Sequence, residues 1–501
     1  MWEDRRVRVW LSPLKARTKG RICSPRVLAG HKRRLVLVAG SAIVIAGLFA
    51  AAARAQPPPS ADVSFSLSTL FPNYNPNIHD YVVRCNNAPV TVTVHASTGW
   101  EVAINGDPFR SGNFSESVPL GSGVAFAVNV RDTAQTQLYH YHVRCLPNSF
   151  PTYTFTHQGP VSPKFFSVDQ DPSRYSIIFN NHGVPIWWDH TRAHDTRVLP
   201  NGKVLWVNAY LRRWEIHRLD GSLVRVLGAI GARSNNHDLQ LLGNGDYLLG
   251  ALFVQSHVDT SAYGGSSDAD VMNINLQEVG PGQSLVWDWK SQDHISLAET
   301  GRWWDDAINH PIGNAYDIVH WNSIDPVGSS VIASFRHLDA VYKIDRSTGN
   351  IVWKLGGTNT PQSLTVMNDP DGYTFGGQHD ARQLPDGTLT VFDNRTQLTN
   401  AQPRAERFRI DEASGTATLL QTINDPAVPS SDCCGSARRL GNGDWLISWG
   451  GPANPIGGYT SDGQRTFLLS LPARSYRAEP VPAAISAQDL RQGMTAMFPA
   501  P

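Results

Sequence analysis

Short apolar and aromatic runs, broken by Gly, Pro, Asn and Asp, fill most of the chain after Ser60. Such punctuation predicts β-strands joined by tight turns rather than helices. From Asp62 to Cys145 the runs alternate apolar and polar: DVSFSLSTL, DYVVRC, VTVTVHAS, EVAINGD, VAFAVNVRD and YHYHVRC. Alternation with period two buries one face of each strand, so this stretch predicts a small antiparallel β-sandwich.

Beyond it the pattern repeats. Gly376–Asn394 reads GGQHDARQLPDGTLTVFDN, a histidine, a Leu-Pro-Asp-Gly turn and an apolar strand. His194 opens HDTRVLPNGKVLWV, His237 opens HDLQLLGNGDYLLG, His320 opens HWNSIDPVGSSVIASF and Gly435 opens GSARRLGNGDWLISW. In all five the turn glycine stands eight residues after the opening position, at Gly202, Gly245, Gly328, Gly387 and Gly443. A second phrase, a glycine followed by an apolar strand, interleaves with the first, at Gly183, Gly221, Gly282, Gly349, Gly415 and Gly463. Repeated units of short strands predict an all-β, six-bladed β-propeller, preceded by the sandwich. The step from His237 to His320 is 83 residues against 43 from His194 to His237. Insertions around Gln255–Asp270 and Ser291–Asn314 are therefore expected, shaping the mouth of a site.

The expected organisation is a basic lead and apolar segment over 1–55, a Pro-rich linker over 56–60, the sandwich over 61–148, the propeller over 150–475 and a tail over 476–501. Leu35–Ala53 follows His31-Lys32-Arg33-Arg34 and ends in Ala53-Arg54-Ala55. It reads as an export signal cleaved after Ala55, or as an uncleaved membrane anchor. Either way the chain is expected to be periplasmic, cell-surface or secreted. Export makes Cys85 and Cys145, which close the two Tyr-x-Val-Arg-Cys runs, a disulfide pair. Cys433 and Cys434 are adjacent and could be bonded or free, and Cys23 falls in the leading segment. Lys and Arg number 43, as do Asp and Glu, so the chain carries no net charge and a nucleic-acid partner is not expected.

If the opening position is equivalent in every blade, His194, His237, His320 and His379 converge on one axis. Their following aspartates, Asp195, Asp238 and Asp380, either tie down the turns at Asn201, Asn244 and Asp386 or fix imidazole tautomers. The phrase at His320 replaces the aspartate with Trp321 and supplies Asn322, and the next strand ends in Ser334-Phe335-Arg336-His337. A histidine cluster with Asn and Arg is a donor set for an oxyanion, and the Arg fork suits sulfate or phosphate oxygens. Arg336 could instead be a surface residue paired with Asp339 or Asp345.

The set NNHDLQLL, HWNSI, SFRHLDAVYKIDRSTGNIVWKLGG and GGQHDARQL resembles the bacterial aryl-sulfate sulfotransferase family over about Asn235–Gly451. The resemblance implies a six-bladed propeller that moves a sulfuryl group from a phenolic sulfate donor to a phenol acceptor, with no nucleotide sulfate, cofactor or metal. Carried over, His379 would be the transiently sulfated nucleophile, His320 and Asn322 would sit beside it, and Arg336 and His237 would bind sulfate oxygens. The family has a threonine near the last blade's opening position, where this chain reads Cys433-Cys434-Gly435-Ser436. Ser436 and His194 stand as candidate substrate contacts. Within the sandwich, LFPNYNPNIHDYVV followed by VTVTVHAS resembles cadherin-like modules. Other readings of the same residues are a metal-dependent hydrolase built on the histidines, a quinone-dependent dehydrogenase suggested by DRSTGNIVWKLGG, and a non-catalytic propeller that binds a glycan or a protein.

Overall fold

The computed structural model describes residue 57 and residues 60–500, apart from 171–174, 192, 372, 373 and 400. The basic lead, the run Leu35–Ala53, the cleavage position after Ala55 and Cys23 lie outside the described residues. Among the described residues no helix is long and apolar enough to cross a membrane.

Period-two alternation does what it predicts in the N-terminal sheets. Along Val90–Ala96 the side chains of Val92, Val94 and Ala96 are buried, and those of Thr91, Thr93 and His95 are exposed. Val63–Ser66, Val90–Ala96 and Phe114–Val118 form one sheet. Trp100–Ile104, Ala125–Asp132, Leu138–Cys145 and Asp80–Val83 form the other, and both bury residues in one core that includes Phe65, Val92, Val128 and Tyr141. The pairing is not wholly antiparallel, because Asp80–Val83 runs parallel to Leu138–Cys145. Parallel neighbours need a long crossover, which the intervening strands supply. Both Tyr-x-Val-Arg-Cys runs therefore point the same way and deliver Cys85 and Cys145 to one end. There they are bonded, with Cα atoms 5.6 Å apart.

Six further sheets of four or five strands follow. Ala193–Val198, Arg233–Leu241, Trp321–Val327, His379–Gln383 and Ser436–Arg439 lead five of them, and each sheet then meanders outward through antiparallel neighbours. The leading strand of the remaining sheet comes from the far end of the chain: Ala478–Pro480 pairs with Phe165–Gln170. Thr154–His157 in turn completes the last sheet against Arg465–Ser470. The two chain ends of this region are thus exchanged between its first and last sheets. Leading strands touch in cyclic order, and the cycle closes from Ser436–Arg439 through Ala478–Pro480 to Ala193–Val198. The architecture is propeller-like. Its layers are packed with large side chains, among them Trp187, Trp188, Trp206, Trp214, Trp289, Trp321, Trp445 and Trp449, all fully buried.

The five repeated phrases are the leading strands and their first turns. Each turn glycine has positive φ, from 57° at Gly328 to 92° at Gly443, a conformation L side chains avoid. In four phrases the ladder slips at the opening residue, between His194 and Arg197, Ser234 and Leu239, Trp321 and Ser323, and His379 and Arg382. Asp195, His320 and Asp380 take φ of 52°, 41° and 58° at these slips. A bulge re-aims side chains at a strand end; His237 and His320 fall outside the ladder, while His194 and His379 pair with Val207 and Phe392 just before the slip.

Two expectations change. The predicted insertions are partly regular: Tyr247–Val258 and Ala269–Val279 form one long hairpin, and Ala315–Asp317 adds a parallel strand to it. The chain beyond residue 475 is not a tail, since Ala478–Pro480 leads a sheet. Ser486 and Asp489 then form a capping box for the helix Ala487–Met497. That helix buries Leu490 and Met494 and ties itself to the sandwich, Arg491 Nη1 lying 2.8 Å from Asp80 Oδ1.

Candidate active site

The bulges gather the phrase histidines at one end of the leading strands. His237 and His320 meet edge to face with centroids 5.0 Å apart, and His320 lies 4.7 Å from His337. His194, half-buried, lies near enough to His237 to oppose its protonation. His379 is buried, and Arg336, His320 and His237 all disfavour a charge on it.

His237 and His379 are oriented by partners other than the aspartates that follow them, and His320 by Asp317. His379 Nδ1 lies 2.7 Å from Asn394 Oδ1 and 3.0 Å from the Gly377 carbonyl, so it carries the proton. Its Nε2 accepts from the Cys434 amide at 3.2 Å. Asn394 Nδ2 in turn donates to the Cys434 carbonyl at 3.0 Å and to Ser431 Oγ at 2.7 Å. One residue, Cys434, therefore holds both nitrogens of His379, one directly and one through Asn394. His320 Nδ1 sits 2.5 Å from Asp317 Oδ2, which leaves Nε2 as the basic nitrogen. His237 Nδ1 lies 2.5 Å from Asn235 Oδ1.

Burial sets the protonation. Loss of hydration is the largest cause of the drop at His379, which falls well below an ordinary imidazole, with Arg336 adding to it. His237 falls to about 3, again through burial first and then His320. Burial alone would raise the Asp317 carboxyl, yet His320 and His337 hold it well below the usual carboxylate range. His237, His337 and His379 are thus neutral rings beside one carboxylate and one guanidinium.

Arg336 is not paired with Asp339 or Asp345. Asp339 binds Arg302 Nε at 2.6 Å, Trp303 Nε1 at 2.9 Å and the Gly377 amide at 2.7 Å, while Asp345 fixes its own turn through Ser347 and Thr348. Arg336 donates to the Asp432 carbonyl at 3.1 Å and to His337 Nε2 at 2.6 Å, and its guanidinium lies 4.1 Å from the Trp303 ring centroid. Among the described residues its buried Nε–H has no partner. An unpaired donor on a desolvated cation, next to a neutral imidazole, is an arrangement that receives an anion.

The expected aspartate roles do not hold. Asn201, Asn244 and Asp386 fix their own turns by accepting backbone N–H groups two residues on. Asp195, Asp238 and Asp380 are fully buried and converge on Arg477, at 3.1, 3.5 and 3.4 Å. Arg197 bridges Asp195 and Asp238, Arg382 bridges Asp238 and Asp380, and Arg438 joins Asp380 to Glu479. This charged belt ties three histidine-bearing bulges together.

Asn322 is buried and donates to the Gln378 carbonyl at 2.8 Å, holding the residue before His379; its Oδ1 has no partner among the described residues. Ser436 is not free to bind a substrate. Its hydroxyl donates to the Ala478 carbonyl and accepts from the Ala478 amide, both at 3.1 Å, because the last leading strand must grip the C-terminal one. Cys433 and Cys434 are free thiols.

Asp317, His320 and His337 bring potential metal-ligand atoms within 4.8 Å of one another. Asp317 Oδ2 is engaged by His320, and His337 is spanned by Arg336 and the Asp317 carbonyl, the latter at 2.5 Å. A fixed guanidinium in that position opposes a cation, so the set fits a hydrogen-bonded dyad with an anion site better than a metal centre. A polar groove of about 1230 Å³ opens alongside, lined in part by Arg395, Thr396, Ser431 and Asp432; none of the histidines lines it.

Asp317, Asn394 and Arg477 escaped sequence reading, as did the contact of the Cys434 amide with His379. Only Asn394 left a signal there, a polar Asp-Asn pair closing the strand of the His379 phrase.

The family model described as arylsulfotransferase (ASST) matches residues 229–470. The curated proteins yield no match. Among solved structures, a virginiamycin B lyase from Staphylococcus aureus is 11% identical, covering 63% of this chain and 88% of that one, with a TM-score of 0.33. A streptogramin B lyase is 10% identical over 63% and 87%, at 0.34. A quinoprotein alcohol dehydrogenase-like protein from Bacteroides thetaiotaomicron is 9% identical over 82% and 98%, at 0.33.

Proposed function

From the match of residues 229–470 to the arylsulfotransferase (ASST) family model, we propose that the chain is a member of that family and transfers a sulfuryl group from a phenolic sulfate ester to a phenol through a sulfo-histidine at His379. The observation that carries this reading is the bonding of His379. Its proton is held on Nδ1 by Asn394, so Nε2 keeps its lone pair, in a site where burial keeps the ring neutral.

In the first step the Nε2 pair bonds to sulfur and the sulfur–aryl oxygen bond breaks, its electrons leaving with the phenolate. The ester must displace the Cys434 amide from Nε2. That amide and the free Nε–H of Arg336 then face the sulfuryl oxygens as donors. Positive charge on the sulfated ring is met by Asn394 Oδ1 at Nδ1. The phenolate leaves as the anion and takes its proton from water, and in the second step His320, oriented by Asp317, presents Nε2 to take the proton of the incoming phenol. In the second step the acceptor oxygen bonds to sulfur, the N–S bond breaks and its pair returns to Nε2.

His237 would line the sulfuryl site, and His194 would lie further along the same funnel. Asn322 acts as a positioning residue through Gln378. The reading includes a closed six-bladed propeller for 150–480, a cadherin-like or Ig-like sandwich for 61–148, and export from the cytoplasm directed by the segment ending at Ala55.

The test is an assay of the full chain with an aryl sulfate whose phenol is coloured, with and without a phenol acceptor. Phenol release should rise with acceptor, follow ping-pong kinetics and disappear in His379→Gln. Trapping without acceptor should add about 80 Da, one SO₃, to the His379 peptide. Turnover retained by His379→Gln would refute the covalent step.

A further inference from the structure

The peptide group joining Cys433 to Cys434 is held on both sides. Its carbonyl oxygen accepts from the Gly451 amide at 2.8 Å, and its N–H donates to His379 Nε2 at 3.2 Å. The backbone is close-packed here, since a Cβ on Gly450 would stand 2.2 Å from the Cys433 oxygen. Cys434 has a φ of 66°.

The two thiols have a different chemistry from a buried structural pair. Cys433 is half-buried, and Cys434 is buried. Cys433 falls to about 7, first because the Cys434 thiol hydrogen-bonds to its sulfur, and also because Arg474 and Arg336 favour the thiolate. Arg474 Nη1 lies 3.6 Å from Cys433 Sγ. A reachable thiolate with a resolving thiol next to it is the arrangement that reacts with disulfides.

We propose that Cys433 and Cys434 are a redox-modification site, and that oxidation to a vicinal disulfide withdraws the Cys434 amide from His379. The geometry compels the coupling. Consecutive Cα atoms across a trans peptide are about 3.8 Å apart, shorter than the roughly 4.4–6.8 Å that disulfides span. The eight-membered ring that closes contains the intervening peptide, which must rotate or distort to bring the sulfurs together. Rotation takes the Cys433 oxygen from Gly451 and the Cys434 N–H from Nε2. It also moves the Cys434 carbonyl that Asn394 uses to orient Nδ1. Oxidation therefore perturbs both nitrogens of His379 at once.

The oxidant is a low-molecular-weight disulfide. Cys433 thiolate attacks one of its sulfurs and expels a thiolate. Cys434 then gives up its proton, attacks the Cys433 sulfur and expels the second thiolate. Two electrons and two protons pass from the cysteines to the disulfide, which leaves as two thiols.

The modification does not depend on the proposed sulfuryl transfer; only its effect on turnover rests on that reading. The experiment incubates the full chain with dithiothreitol or with oxidised glutathione. Peptide mapping reads the bond, and ¹⁵N-histidine NMR reads His379. Oxidation should remove about 2 Da, two hydrogens, from the peptide bearing both cysteines, and shift the His379 Nε2 resonance. Phenol release from an aryl sulfate should fall at least tenfold and recover on reduction. In Cys433→Ser the ratio of activities in the two buffers should stay within about twofold of one. Thiols that remain free under excess oxidised glutathione, or a mixed disulfide that Cys434 fails to resolve, would overturn the proposal. So would a vicinal disulfide that leaves the Nε2 resonance unmoved. A shifted resonance with no phenol released in either buffer would sink the sulfuryl-transfer reading and leave this one standing.

Discussion

Arg477 is the hub of the charged belt, and its replacement by methionine probes how the histidines are held. The guanidinium side chain is 1% exposed, and its three aspartate partners are fully buried. Its Nη2 also donates to the Asn322 carbonyl at 2.8 Å. Arg197, Arg382, Arg438 and Arg477 face Asp195, Asp238, Asp380 and Glu479, so the belt balances four positive groups against four acidic ones. Methionine keeps the stem's volume and removes one charge, leaving an uncompensated buried carboxylate. Breaking a buried pair on one side typically costs about 3–5 kcal/mol. The lower half of that range is expected, because Asp195, Asp238 and Asp380 each retain another arginine. Urea titration of the full chain at neutral pH, followed by tryptophan fluorescence, measures the loss. The sign of a second change is the sharper check. Adding Asp238→Asn to Arg477→Met removes the excess negative charge, so the double variant should be more stable than Arg477→Met alone. A loss below about 1 kcal/mol, or a double variant less stable than the single, would refute the electrostatic account of the belt.

Asp317→Asn should lower kcat for aryl-sulfate turnover by about 10- to 100-fold with KM little changed, because Asp317 orients His320 without reaching substrate; an unchanged kcat would remove it from the mechanism. The imidazoles of His237 and His379 should stay neutral from about pH 7.5 to pH 5, read by ¹⁵N chemical shifts, and a midpoint near 6.5 would contradict the burial argument. The linkage sign follows: below 6.5 the unfolded chain takes up protons that these rings refuse, so stability falls with pH. For His237, at about 3 in the folded chain, that loss is about 2 kcal/mol between pH 7 and pH 5.

Parts of this protein are written locally. A turn glycine at fixed spacing encodes a left-handed turn, so the five phrases announced five strand pairs that the structure contains. Alternation in VTVTVHAS encoded a one-sided strand. Cys85 and Cys145 were paired by position within two matching runs, though the parallel pairing that brings them together was not visible. The clustering of His237, His320 and His379 was legible because a repeat places equivalent residues at equivalent positions.

What the repeat could not show is contact between residues far apart in the chain. Asp195, Asp238 and Asp380 looked like turn or tautomer partners because their sequence neighbours were the only ones visible. Their charge is answered by Arg477, which lay in what read as a tail, because Ala478–Pro480 closes the first sheet from the opposite chain end. Ser436 took a substrate role by its place in the phrase, but the same closure uses up its hydroxyl. His379 is oriented by Asn394 and by the Cys434 amide, a backbone group with no sequence signature. Local periodicity set the strands, the turns and the convergence of the histidines. Only the cyclic packing of the sheets decided which charges are buried together, which hydroxyls are spent on closure, and which nitrogen of each imidazole is left to act.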